Sequence, residues 1–141
     1  MAEIQTSAKA GALAELVTIG ALGGSGPTIL LVEDEKFVRD VTSEVLRSAG
    51  YRVLAARNAG EGLELFTESG ATVDLLLADI ILPGQSGGAL AERLKRERPG
   101  LKVLFVTGYA EQMKVSGDVG ALLPKPFSSM MLLQAIREQF A

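Results

Sequence analysis

The chain has 141 residues and a mass of 14.8 kDa, enough for one domain at the usual size of roughly 100 to 200 residues. Its 48% apolar and 22% charged content excludes an intrinsically disordered chain, and a net charge of -3 leaves no basic stripe for direct nucleic-acid binding. With neither cysteine nor histidine, it is denied disulfides, thiolate or Ser-His catalysis, imidazole-bound zinc and a phosphohistidine of its own, so any chemistry must run on carboxylates, hydroxyls and lysines.

Residues 1–26 are rich in Ala and Gly and lead through Gly23-Gly24-Ser25-Gly26 into Pro27, which reads as a flexible linker or tail. Leu13, Leu16 and Val17 make a short helical stripe, too weak to stand alone with Gly11 inside it and Gly20 behind it. Glu3, Lys9 and Glu15 break up the segment, so it matches no secretory leader, and no uninterrupted apolar run is long enough to span a bilayer. A soluble chain in a reducing cytoplasm is expected.

From Thr28 onward, short apolar runs alternate with amphipathic stretches five times, the pattern of repeated βα units and of a parallel sheet covered by helices. The domain is expected over 27–141. The predicted strands are 28–32, 52–55, 74–78, 103–106 and 121–123. Near-continuous Leu, Ile and Val in three of them implies burial on both faces.

Val38, Val41, Val45 and Ala49 set the inward stripe of the first helix, with Gly50 placed for a left-handed cap. Asn58 and Glu61 form a capping-box-like start to the second helix, which turns Leu63 and Phe66 inward. Ser86 caps a third helix that buries Leu90 and Leu94 and ends before Pro99-Gly100. The fourth helix, squeezed between Val106 and Ala121 among Gly108, Gly117 and Gly120, is expected to be short or frayed. Ser128 caps the last, with Leu132, Leu133, Ile136 and Phe140 inward.

Ligands of open parallel sheets bind beyond the carboxyl ends of the strands, so residues at those ends form one surface. Glu33-Asp34-Glu35 follows the first strand, Asp79 the third, Thr107-Gly108 the fourth and Lys125-Pro126 the fifth. Glu33, Asp34 and Asp79 brought close together would repel, and the simplest neutraliser is a hard divalent cation. Magnesium suits phosphoryl chemistry because it keeps positions open for phosphate oxygens, while Thr107 and Lys125 hold the rest. A carboxylate is a competent phosphoryl acceptor, and Asp79, at a central strand end, is the expected nucleophile.

The series Ile29-Leu30-Leu31-Val32-Glu33-Asp34-Glu35, Asp79 with Pro83-Gly84 and Ser86-Gly87, Thr107-Gly108 and Lys125-Pro126-Phe127 resembles the receiver domain of two-component response regulators. The likeness covers residues 28–140, in order and with near-usual spacing. It implies a doubly wound, flavodoxin-like α/β domain, (βα)5 with strand order 2-1-3-4-5. In such a domain Asp79 accepts a phosphoryl group from a sensor histidine kinase. It further implies that Glu33, Asp34, Asp79 and the backbone carbonyl of Ile81 bind Mg2+. Thr107 and Lys125 would contact the phosphoryl group, Gly108 would leave room for it, and the Lys125-Pro126 bond is commonly cis in the family.

The isolated domain would assist its own phosphorylation and dephosphorylation without being a turnover enzyme. The family's switch position, usually aromatic, is Leu122 here, which puts an aromatic-swing output in doubt. Val106-Thr107-Gly108-Tyr109-Ala110 and Leu123-Pro124-Lys125-Pro126-Phe127 look most like receivers of hybrid histidine kinases, which exchange phosphate with a histidine phosphotransfer protein; a stand-alone regulator fits equally. The oligomeric expectation is a monomer or weak dimer. Lys36-Phe37-Val38 replaces the glycines of a dinucleotide site, and Asp79-Ile80-Ile81 lacks the Asp-x-Asp of a Toprim-type nuclease. The remaining alternative is a receiver-fold binding module that works without phosphorylation.

Overall fold

The computed structural model describes residues 25–69, 73–82, 86–107 and 120–141. In chain order these form β1 (Thr28–Val32), α1 (Lys36–Ser48), β2 (Arg52–Ala56), α2 (Ala59–Ser69), β3 (Val73–Asp79), α3 (Gly87–Glu97), β4 (Lys102–Thr107), β5 (Ala121–Pro124) and α4 (Ser129–Phe140). The sheet is five-stranded and its order is β2-β1-β3-β4-β5, with every neighbouring pair parallel. This is the doubly wound flavodoxin-like arrangement, and the reversal of winding between β1 and β3 opens a crevice at their carboxyl ends. The expected short fourth helix falls in 108–119, outside the described residues.

Because side chains alternate across a strand, each central strand feeds two cores. Leu30, Val32, Leu76, Ala78, Val103 and Phe105 pack with Phe66 of α2 and Leu90 and Leu94 of α3. On the other face, Ile29, Leu31, Leu75, Leu77, Leu104 and Val106 pack with Leu46 of α1 and Leu132 and Ile136 of α4. All five residues of β1 are buried, which explains its unbroken Ile-Leu-Leu-Val run. Truncating one of these leucines to alanine costs roughly 2–5 kcal/mol.

Local signals place the helices. Gly50 has φ 98°, its N–H donates to the Arg47 carbonyl (2.9 Å) and that of Tyr51 to the Leu46 carbonyl (3.2 Å), the paired bonds of a Schellman cap on α1. Asn58 Oδ1 accepts from the Glu61 N–H (2.8 Å), Ser86 Oγ from Ala89 (3.0 Å) and Ser128 Oγ from Met131 (3.1 Å).

The stripe expected on α1 is corrected. Val41 is 46% exposed and Ala49 is exposed too, whereas Leu46 is fully buried and Ser43 nearly so. The helix is rolled so that its largest aliphatic side chain, Leu46, meets the sheet. Two small polar residues on the inward side, half-buried Thr42 and buried Ser43, hide that side from an apolar-spacing argument. Strands β3 and β4 also run further than expected, so Asp79 and Thr107 are the last residues of their strands.

Candidate functional site

The sheet's topology carries the ends of β1, β3, β4 and β5 to one edge. Asp79 closes β3 with its side chain only 13% exposed, and Lys125, just past β5, places Nζ 2.9 Å from Asp79 Oδ2. The Lys125 main chain is tied to the same edge, since its N–H donates to the Thr107 carbonyl (2.8 Å), and the Lys125–Pro126 peptide is cis. Glu33, Asp79 and Lys125 line one recess, whose inner wall is apolar and includes Val38, Val106 and Phe127.

Glu33 is 6% exposed. Its N–H donates to the Ala56 carbonyl (3.0 Å), and its own Oε2 accepts from the Glu35 N–H (3.0 Å), so the side chain curls back over the turn that starts α1. Burial, aided by the negative charges of Asp79 and Asp34, pushes its carboxyl above the ordinary glutamate range, although the Glu35 N–H and Lys125 pull the other way. Lys125 is the complement. Desolvation alone would lower its pKa, but the hydrogen bond and charge of Asp79, with Glu33 and Asp34 behind them, outweigh it and hold the ammonium above its usual value.

The other expected site residues are placed as follows. Asp34 is exposed on the turn, within electrostatic reach of Lys125. Thr107 is buried at the end of β4 and stands opposite Pro124 in the register. Ile81 lies two residues beyond Asp79 and is half-exposed. Leu122 pairs with Phe105 on the edge strand and is 37% exposed. Gly108, Tyr109 and Pro83-Gly84 are outside the described residues. Among the described residues, no group of three acidic side chains converges closely enough to clasp an ion unaided. Asp79 turns to Lys125 and Glu33 to its own turn, while the charges of Asp79 and Asp34 still act on Glu33.

Two residues that the strand-end argument passed over shape this edge. Gly87 donates its N–H to the Ile80 carbonyl (2.7 Å), and a Cβ there would collide with the carbonyl of Asp79, so α3 can begin against the Asp79 backbone only at a glycine. The Ser86-Gly87 pair carried that signal. Arg39, in the first turns of α1, donates from NH1 to the carbonyls of Glu33 (2.8 Å) and Asp34 (3.4 Å).

The family model of the response regulator receiver domain matches residues 29–137. The sensor kinase CckA of Brucella abortus is 38% identical over 122 residues, which is 83% of this chain and 13% of that kinase. The crystal structure of the receiver domain from the hybrid histidine kinase CckA superposes with a TM-score of 0.71 at 35% identity, covering 81% of this chain and 99% of that one. The sporulation initiation phosphotransferase F of Bacillus subtilis is 30% identical over 114 residues, 78% of this chain and 90% of that protein. The chain thus spans only a small part of the kinase it matches but nearly all of the phosphotransferase. Family model, fold and both kinds of relative agree: the chain belongs to the response regulator receiver domain family of two-component signalling.

Proposed function

We propose that the domain is a phosphoacceptor in a two-component phosphorelay, with Asp79 as the residue that takes the phosphoryl group. The observation that carries this is the Lys125 Nζ to Asp79 Oδ2 contact of 2.9 Å at the edge of a recess shared with Glu33. An ion pair whose lysine is 40% exposed is solvent-screened and adds little stability, so a lysine held by its backbone over a strand-end aspartate suits chemistry better than stability. In the transfer, an Asp79 carboxylate oxygen attacks phosphorus of a phosphohistidine on a sensor histidine kinase. The new O–P bond forms as the P–N bond breaks and the imidazole leaves. Lys125, no longer needed by a neutralised carboxylate, shifts its hydrogen bond to a phosphoryl oxygen, and the Thr107 hydroxyl is the second donor at that edge.

The donor set is all hard oxygen, which fits Mg2+. With no three acidic side chains converging among the described residues, the ion would keep most of its water, as magnesium usually does. Asp34, Asp79, the Ile81 carbonyl and Glu33, directly or through water, would hold it. Its contribution is to offset the negative charge that gathers as phosphate meets carboxylate.

The isolated domain would then assist its own phosphorylation and hydrolysis without turning over a substrate. It would pass the group to a histidine phosphotransfer protein or switch another partner. A hybrid histidine kinase is the parent chain this reading favours, with 1–26 as linker and 27–141 as receiver. No described helix is long and apolar enough to cross a membrane. Partnership with a kinase's phosphohistidine would put the domain in the cytoplasm. Leu122 makes an aromatic swing an unsuitable output.

The test is intact mass after incubation with acetyl phosphate, with and without Mg2+, for the native chain and Asp79→Ala. One phosphoryl group added only with Mg2+ and only with Asp79 present is the expected result. No addition under any condition would leave a receiver-fold binding module that works without phosphorylation.

A further inference from the structure

The geometry points to Arg39 as a positioning residue that sets the acidic turn for its cation. The inference rests on the reading of that turn as the Mg2+ site. It starts from a misfit: the helix N-terminus carries partial positive charge and favours acidic residues, yet the first turn of α1 holds none. It carries Lys36 and Arg39 instead, and Glu35 at the N-cap makes no side-chain capping bond. The helix dipole therefore gives no reason for a cation at Arg39.

The contacts do. NH1 donates to the Glu33 carbonyl at 2.8 Å and reaches the Asp34 carbonyl at 3.4 Å, so one guanidinium spans the two successive peptide units from which the acidic side chains project. Glu33 is independently tethered, through its N–H to Ala56 and its Oε2 to the Glu35 N–H. Asp34 is exposed, and its carbonyl bond to Arg39 ties its peptide unit to α1. Fixing those carbonyls fixes the torsions that aim the Asp34 carboxylate, as partners of metal-binding side chains do at other sites. The Lys36 ammonium, by contrast, pairs outward with Asp40 at 2.7 Å.

The experiment titrates Mg2+ into the native chain, Arg39→Ala and Arg39→Lys by calorimetry, and then measures phosphoryl uptake from acetyl phosphate across Mg2+ concentrations. Arg39→Ala is expected to weaken Mg2+ binding about tenfold and raise the Mg2+ concentration for half-maximal uptake equally, with the rate recovering at saturating Mg2+. Arg39→Lys, which keeps a cationic donor but shortens its reach to the two carbonyls, is expected to fall between. General loosening of the fold would lower the saturated rate as well, so the split between half-saturation and maximum separates positioning from structure. Should Arg39→Ala fail to fold, an Arg39→Met variant, which keeps the stem but no donor, would overturn the inference if it held native Mg2+ affinity. Unchanged half-saturation in a folded Arg39→Ala overturns it too, while leaving Asp79 as acceptor. A native chain that neither binds Mg2+ nor takes up phosphoryl would overturn the site reading, and this inference with it.

Discussion

Strand β3 carries an aspartate near each end, and the two live differently. Asp74 Oδ2 accepts the backbone N–H of Thr28 at 2.8 Å, where the β1–β3 register shifts between Thr28 and Ile29. Asp79 accepts from the Lys125 ammonium at 2.9 Å. Both are partly buried, yet a main-chain donor in a strand cannot leave, whereas a lysine on a flexible stem can hand its hydrogen bond to an arriving group. Residue type is the same; what differs is whether the partner can be exchanged. In a parallel sheet the carboxyl edge is where several strand ends gather, and Asp79 stands there whereas Asp74 does not.

The sharpest way to break this contrast is to remove the charge from each aspartate in turn. Asp79→Asn is expected to abolish phosphoryl uptake while the chain stays folded, read by intact mass and circular dichroism. Asp74→Ala is expected to keep uptake but cost about 1–3 kcal/mol in urea unfolding, because it strands the buried Thr28 N–H. If Asp74→Ala lost uptake at native stability, the division between the two ends would be wrong.

A second pair of substitutions works at the carboxyl edge alone. Lys125→Ala is expected to slow phosphorylation by about 100-fold, the size of losing one aligned electrostatic donor, with only a small change in melting temperature. Gly87→Ala should do the reverse in kind. Its Cβ has no room beside the Asp79 carbonyl, so about 1–3 kcal/mol of stability is lost as the start of α3 is pushed back. Uptake by the folded fraction should fall less than in Lys125→Ala.

Much of this was legible in the chain. The alternation of apolar runs with helical stretches located every strand, because parallel strands buried on both faces must be written in Leu, Ile and Val. Strand-end logic then named Glu33, Asp79, Thr107 and Lys125, which the fold carries to one edge. The roll of α1 was not legible, since Thr42 and Ser43 dilute the inward side with polar side chains while Val41, which looked inward, is half-exposed. Nor was the inward curl of Glu33 or the reach of Arg39 to two carbonyls. Those depend on backbone direction within a single turn, which residue identity does not encode.

The smallest effect lies away from the edge and isolates a local signal. Glu61 Oε1 accepts the Arg57 N–H at 2.6 Å while its own N–H is capped by Asn58, and that backbone bond, helped by the Arg57 charge, lowers the Glu61 pKa. A carboxyl lowered in the folded state stabilises only when ionised. Its contribution is complete above the unfolded glutamate pKa of about 4.3 and disappears as pH falls through the lower folded value. Glu61→Gln is therefore expected to destabilise by about half a kcal/mol at neutral pH, because the site is solvent-screened. The gap between variant and native should stay level down to about pH 5 and close below pH 4. A gap unchanged in acid would mean that the amide replaces the carboxylate as acceptor and that its charge adds nothing to the start of α2.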